Sequence, residues 1–150
     1  MTNLTLSRAV LAALALLVGT GSGPVVTVAS AQAAAEGTSL GSVQITKNVM
    51  ANGQKLAAGT YQVRLTTQEA TPAAGATTSL ERWVEFVKGG KVVGREVVSI
   101  VPQSEIKAVA EKNPPAKGAA KVELLKGNEY LRVWIYRGDN HYLIHMPVAS

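Results

Sequence analysis

From Tyr130 to Tyr136 the aliphatic residues Leu131, Val133 and Ile135 alternate with Tyr130, Arg132, Trp134 and Tyr136. A period of two is the signature of a strand, because successive side chains point to opposite faces of a sheet. One face of this segment is therefore an aliphatic core and the other an amphipathic aromatic surface. Bulky side chains on both faces predict a strand in the middle of its sheet. The wider stretch Ala120 to Pro147 reads as three strands in succession. Val122, Leu124 and Leu125 begin it, Tyr142, Ile144 and Met146 oppose His141, Leu143 and His145 at its end, and the turns fall at Gly127-Asn128 and Arg137 to Asn140.

The same alternation recurs earlier. Val43 and Ile45 interleave with Gln44 and Thr46 in a first short strand, and Tyr61, Val63 and Leu65 oppose Gln62, Arg64 and Thr66 in a second. Asn52-Gly53 and Ala58-Gly59 supply the turns between them. Leu80 to Lys88 and Lys91 to Val101 bracket Gly89-Gly90, a two-residue hairpin signal. Val84 and Phe86 share one face of the first arm, with Trp83 and Val87 on the other. Gly94 interrupts the second arm and predicts a bulge or a close backbone approach. Glu69 to Ser79, rich in Ala, Thr, Gly and Pro, predicts an exposed loop.

Between Pro102 and Gly118 two readings compete. Ser104 is placed to cap a helical turn with Ile106, Val109 and Ala110 on one side, while the β-branched residues suit extended structure nearly as well. The reading adopted is one short helix within residues 104–112, ended by Asn113-Pro114-Pro115. About seven strands joined by short turns predict an all-β domain, specifically an antiparallel β-sandwich, with a small barrel as its closed relative.

The phrase Leu56-Ala57-Ala58-Gly59-Thr60-Tyr61-Gln62-Val63 resembles a segment of secreted bacterial β-sandwich domains of the prealbumin-like or immunoglobulin-like kind. In those domains a glycine turn feeds a Tyr-containing core strand. The resemblance implies the fold and a bacterial source; it brings no active site with it.

Composition adds a destination. Arg8 followed by the apolar run Ala9 to Val18 has the form of a secretory signal, being too short to span a bilayer, which needs about 20 apolar residues. Small residues mark cleavage points at Ala29-Ser30-Ala31 and Ala31-Gln32-Ala33. The expected organisation is a signal peptide over residues 1–33, a flexible lead over 34–41 and one β-sandwich domain over 42–150. Removing the first 33 of 150 residues leaves 117, enough for one core. Periplasmic or extracellular localisation follows from that leader, with no stable transmembrane span after its removal. Arg8 is the only charged residue before Ala34, so the net charge falls from +5 to +4. Lys and Arg are scattered singly among Glu along the chain, which argues against nucleic acid as a partner. Cysteine is absent, which removes thiolate catalysis, thiolate metal sites and disulfide stapling.

The chemistry-bearing residues are few. His141 and His145 are the only histidines, and on a strand they stand about 13 Å apart along one face, too far to share one zinc ion. They read as surface or cross-strand residues. Asp139, the sole aspartate, sits between Gly138 and Asn140 as a turn former, and Arg137-Gly138-Asp139 spells a cell-adhesion tripeptide of almost no specificity. Glu81 and Glu85 are similarly about 13 Å apart, beyond a glycosidase pair. Folding could bring Glu96, Glu123 or Glu129 near either one, but nothing in the sequence requires it, and cross-strand ion pairing is the stronger reading. Ser99 and Ser104 lack a nucleophile elbow, and Gly89-Gly90 lacks the lysine and helix of a phosphate loop.

The aromatic residues remain. Trp83, Tyr130, Trp134, Tyr136 and Tyr142, with Arg132, form the candidate contact set for a protein or glycan, since aromatic faces make large contacts at low entropic cost, while a packed aromatic ladder is the stronger reading for the rings. The expectation is an exported noncatalytic binding or assembly module of the bacterial envelope, without a cofactor. A carbohydrate-binding module and a small hydrolase assembled in space are the alternatives.

Overall fold

The computed structural model describes residues 37–70, 81–110 and 112–150. The expected signal peptide, most of the Thr/Ala-rich loop and residues 34–36 of the expected lead lie outside the described residues. Within the described residues nine strands and one short helix follow in order. These are β1 (Thr38–Ile45), β2 (Val49–Ala51), β3 (Gln54–Leu56), β4 (Gly59–Glu69), β5 (Glu81–Lys88), β6 (Lys91–Pro102), α1 (Ile106–Val109), β7 (Ala120–Leu124), β8 (Tyr130–Arg137) and β9 (Asn140–Pro147).

Seven of the strands form one antiparallel sheet in the order β1-β4-β5-β6-β9-β8-β7, and β2 and β3 form a separate hairpin. The all-β expectation holds; the division into two packed sheets does not. Two meanders, β4-β5-β6 and β7-β8-β9, are joined by direct pairing of β6 with β9, where Val98 opposes Ile144 and Ile100 opposes Tyr142. That continuous ladder curls until its terminal strands β1 and β7 lie side by side, giving a nearly closed barrel. Arg137 reaches across the seam and donates from Nη2 to the Leu40 carbonyl at 3.0 Å. Gly41 permits this approach: its φ is +108°, and a Cβ there would stand 2.6 Å from Arg137 Nη2. Thr38 already pairs with Leu65 and Leu40 is only 1% exposed, so residues 38–41 of the expected lead are strand.

Apolar residues from every side fill the lumen. Val43 and Ile45, Tyr61 and Val63, Val84 and Phe86, Val98 and Ile100, Leu131, Val133 and Ile135, and Tyr142, Ile144 and Met146 make one continuous core. Tyr61 meets Phe86 edge to face at 6.2 Å. Each such aliphatic or aromatic side chain contributes about 1.5–3 kcal/mol through its removal from water. The β2–β3 hairpin closes one end, burying Val49, Ala51 and Leu56 in the same core. Leu56 presses on Gly94, where a Cβ would stand 2.8 Å from Leu56 Cδ2, and the ladder shifts register between Phe86 and Val87 opposite it. Gly94 thus borders the bulge, whose unpaired residue is Val93, and makes the close approach that its position predicts.

The helix is shorter than expected. Ser104 does not cap it; Glu105 occupies the N-cap without a side-chain hydrogen bond. Ile106 and Ala110 face inward at 2% and 6% exposure, whereas Val109 is 56% exposed. Four residues form barely one turn, so only the i and i+4 positions reach the sheet. They cover a small second core with Val101, Trp134 and Leu143, on the outside of the barrel. Among the described residues no helix is long and apolar enough to cross a membrane.

Candidate functional site

With the lumen filled, outward chemistry is concentrated on the convex face of β5, β6, β9, β8 and β7. Register dictates who meets whom. Trp83 opposes Val97, Arg132 opposes both His145 and Glu123, and Tyr136 opposes His141. Because neighbouring strands lie about 4.8 Å apart, Trp83, Val97, His145, Arg132 and Glu123 mark a band roughly 20 Å long across five strands.

At its β7 edge the band is ionic. Glu123 accepts from Arg132 Nε at 2.9 Å and pairs with Lys121 Nζ at 2.9 Å. Burial pushes the Glu123 carboxyl upward, but hydrogen bonds and charge from Lys121 and Arg132 outweigh it and hold the pKa below the usual range. The Arg132 guanidinium also lies 5.0 Å from the Trp134 ring centroid, with Lys121 Nζ at 6.0 Å. His145 is exposed beside it, and partial burial together with the Arg132 charge lowers its pKa. At the other edge Arg95 lies over the Trp83 ring at 5.2 Å, donates to Gln68 Oε1 at 2.5 Å and stands 3.8 Å from Glu85. Glu85 and Arg95 are cross-strand partners, as are Glu123 and Arg132, so ion pairing holds for these carboxylates.

The aromatic set is divided by the fold. Tyr130 is 45% exposed, and Trp83 and Tyr136 are half-buried. Trp134 is completely buried although it points outward, because α1 and Leu143 cover it. Tyr142 points into the lumen, on the face opposite to Tyr130, Arg132, Trp134 and Tyr136. A shared aromatic platform is therefore corrected to separate rings: strand alternation removes Tyr142, and the second core removes Trp134.

The histidines separate as well. His145 is on the surface, but His141 is fully buried. Its Nδ1 accepts from Trp134 Nε1–H at 2.9 Å, Tyr136 stacks on it at 4.1 Å, and its Nε2 meets Gln103 Oε1 in a short hydrogen bond. Since Nδ1 accepts, the ring proton resides on Nε2 and donates to Gln103. Burial lowers the His141 pKa. This arrangement holds the base of α1 to the sheet and has both ring nitrogens committed. Asp139 lies in the β8–β9 turn, where its carboxylate pairs with Lys117 at 3.1 Å on the surface. Arg137 of the adhesion tripeptide is committed to the barrel seam. Among the described residues no three His, Cys, Asp or Glu side chains gather as a metal-binding group.

Gln103 and the Arg137–Leu40 contact carried no sequence motif. The His141–Tyr136 contact did carry a signal: counting outward from the two-residue turn Gly138-Asp139 pairs 137 with 140 and 136 with 141. No family model, curated protein or solved structure matches the chain.

Proposed function

We propose that this domain is an exported, noncatalytic binding or assembly module of the bacterial envelope, and that it meets a protein partner through the band formed by Trp83, Val97, His145 and Arg132. One observation carries the reading: the lumen is occupied by the domain's own side chains, so recognition falls to the outer surface. Small barrels of this width fill their interior in just this way. On that surface the band combines a half-buried indole, an aliphatic residue, an exposed imidazole and an arginine. Aromatic and arginine side chains are the groups that dominate binding at protein interfaces. A glycan platform is the weaker reading, because Trp134 and Tyr142 are withdrawn from the surface. Envelope location and bacterial source rest on the leader and on the eight-residue resemblance at Leu56 to Val63.

The test is site-specific photocrosslinking in producing cells. A photoreactive residue at Val97 is expected to give a discrete protein adduct, lowered about tenfold by Trp83→Ala or Arg132→Ala. The same probe at Gln62, exposed on β4, gives none. Equal labelling at both positions, or saturable turnover of a substrate by the purified domain, would overturn the reading.

A further inference from the structure

Lysines that are scattered in the chain converge in the fold. The turn after β1, the start of β4, the β5–β6 turn, the β7–β8 turn and the end of β9 all lie at one end of the barrel, as the antiparallel register requires. The β2–β3 hairpin belongs to this end too, since Val49 bridges to Val148. Lys47, Lys55, Lys88, Lys91 and Lys126 stand on these segments and all five are exposed. Glu96 and Glu129 are the acidic side chains of the same segments, and Glu96 is occupied by the backbone N–H groups of Asn52 and Val97. Five lysines against two glutamates leave three lysine charges in excess among these side chains, with Lys55 donating to the Ser150 carbonyl at 3.3 Å and Lys88 lying 5.3 Å from the Tyr61 ring centroid. The opposite end mixes its charges: Arg82, Lys107, Lys112, Lys117 and Arg137 stand among Glu69, Glu81, Glu105 and Asp139, and Lys117 pairs with Asp139.

A second feature coincides with the basic end. Only three large apolar or aromatic side chains are exposed among the described residues: Val109, Leu124 and Tyr130. Leu124 and Tyr130 flank the β7–β8 turn that carries Lys126, and Leu125 N–H donates to the Tyr130 carbonyl to close it. Tyrosine and leucine beside lysine suit the boundary between headgroups and acyl chains, where an amphipathic ring keeps its hydroxyl in water.

We propose that this end of the barrel docks on the surface of an anionic phospholipid bilayer, with the five lysines over the headgroups and Tyr130 and Leu124 entering the interface. Shape selects the bilayer over a linear polyanion. The lysines come from four separate segments around the rim of a barrel roughly 14 Å across, so they address a plane and do not follow a line. An anionic leaflet presents charge to all of them together, within a Debye length of about 10 Å at 0.1 M salt. The contact band on the side of the barrel stays open to a protein partner, and the two proposals stand independently.

The experiment is sedimentation of the full chain with phosphatidylglycerol–phosphatidylcholine vesicles and with pure phosphatidylcholine vesicles. Residues 1–36 are common to every variant, so differences between variants read the barrel end. The triple variant Lys88→Gln, Lys91→Gln, Lys126→Gln is expected to bind the anionic vesicles about a hundredfold more weakly, at roughly fivefold per lysine. The charge-matched variant Lys107→Gln, Lys112→Gln, Lys117→Gln, at the other end, is expected to stay within about twofold of the parent, being held more than a Debye length from the membrane. Tyr130→Ser is expected to lower the binding that survives about 0.5 M salt, where charge is screened. Circular-dichroism melting verifies that each variant folds. Equal losses in the two triple variants would overturn the proposal, as would anionic vesicle binding unchanged in the first. Loss of polyphosphate binding with vesicle binding retained would also overturn it, assigning the lysines to a linear polyanion.

Discussion

The indole N–H of Trp134 donates to Nδ1 of His141 at 2.9 Å, tying an outward tryptophan of β8 to an outward histidine of β9. Both are fully buried, so neither group has water as a substitute partner. Protonation of His141 at Nδ1 would set two donors against each other.

Stability should therefore depend on pH near neutrality. Burial lowers the His141 pKa in the folded state below its ordinary value of 6.5, and His145 is lowered as well. The unfolded chain then binds more protons than the folded one, so stability is complete above about pH 7 and falls as pH drops through the unfolded value. Each depressed histidine contributes at most about 1.4 kcal/mol per pH unit to that slope. Denaturant midpoints between pH 8 and pH 5 should show the decline, and His141→Gln should flatten it more than His145→Gln. The reverse order would contradict the geometry.

Gly94 and Leu56 should prove energetically coupled. A methyl group at Gly94 would stand 2.8 Å from Leu56 Cδ2, so Gly94→Ala is expected to cost about 1–3 kcal/mol by overpacking. Leu56→Ala alone should cost about 2–5 kcal/mol by leaving a cavity. In the double variant the new methyl occupies part of the space vacated, and the loss should fall well short of the sum. Additive losses in urea unfolding would mean that the two sites do not touch in solution.

The seam of the barrel should open first. β1 and β7 meet without a ladder between them, and Arg137, at the end of neighbouring β8, donates from Nη2 to Leu40 O of β1 at 3.0 Å. Arg137→Met keeps much of the aliphatic stem and removes the donor, for an expected cost of about 1–2 kcal/mol. Hydrogen exchange should accelerate in β1 and β7 while β5, β6 and β9, paired on both sides, stay protected. Uniform acceleration across the sheet would show that Arg137 supports the whole barrel.

Local pattern and global placement are separable in this protein. Alternation at Tyr130 to Tyr136 correctly sorted Leu131, Val133 and Ile135 to the core, and the glycine turn at Gly89-Gly90 correctly joined β5 to β6. Those are statements about neighbours in the chain. The division into two sheets was mistaken because it turned on whether β6 pairs with β9, some 40 residues later. A strand edge offers the same N–H and C=O groups to any partner, so alternation cannot say which strand will take them. Trp134 left the candidate contact set for a related reason: it has the outward phase of a surface residue, yet α1 folds over it. The scattered lysines are the converse, unremarkable in the chain and gathered by the topology at one rim.

By itself the chain determined its all-β character, the phase of most strands and the places where it turns, because these follow from side-chain alternation and from residues that tolerate turn geometry. Tertiary structure decided that the strands close into one barrel, that His141 is buried while His145 is not, and that the lysines share an end. Those outcomes depend on the register of distant backbone ladders and on what packs over each face, and neither is carried by any local run of residues.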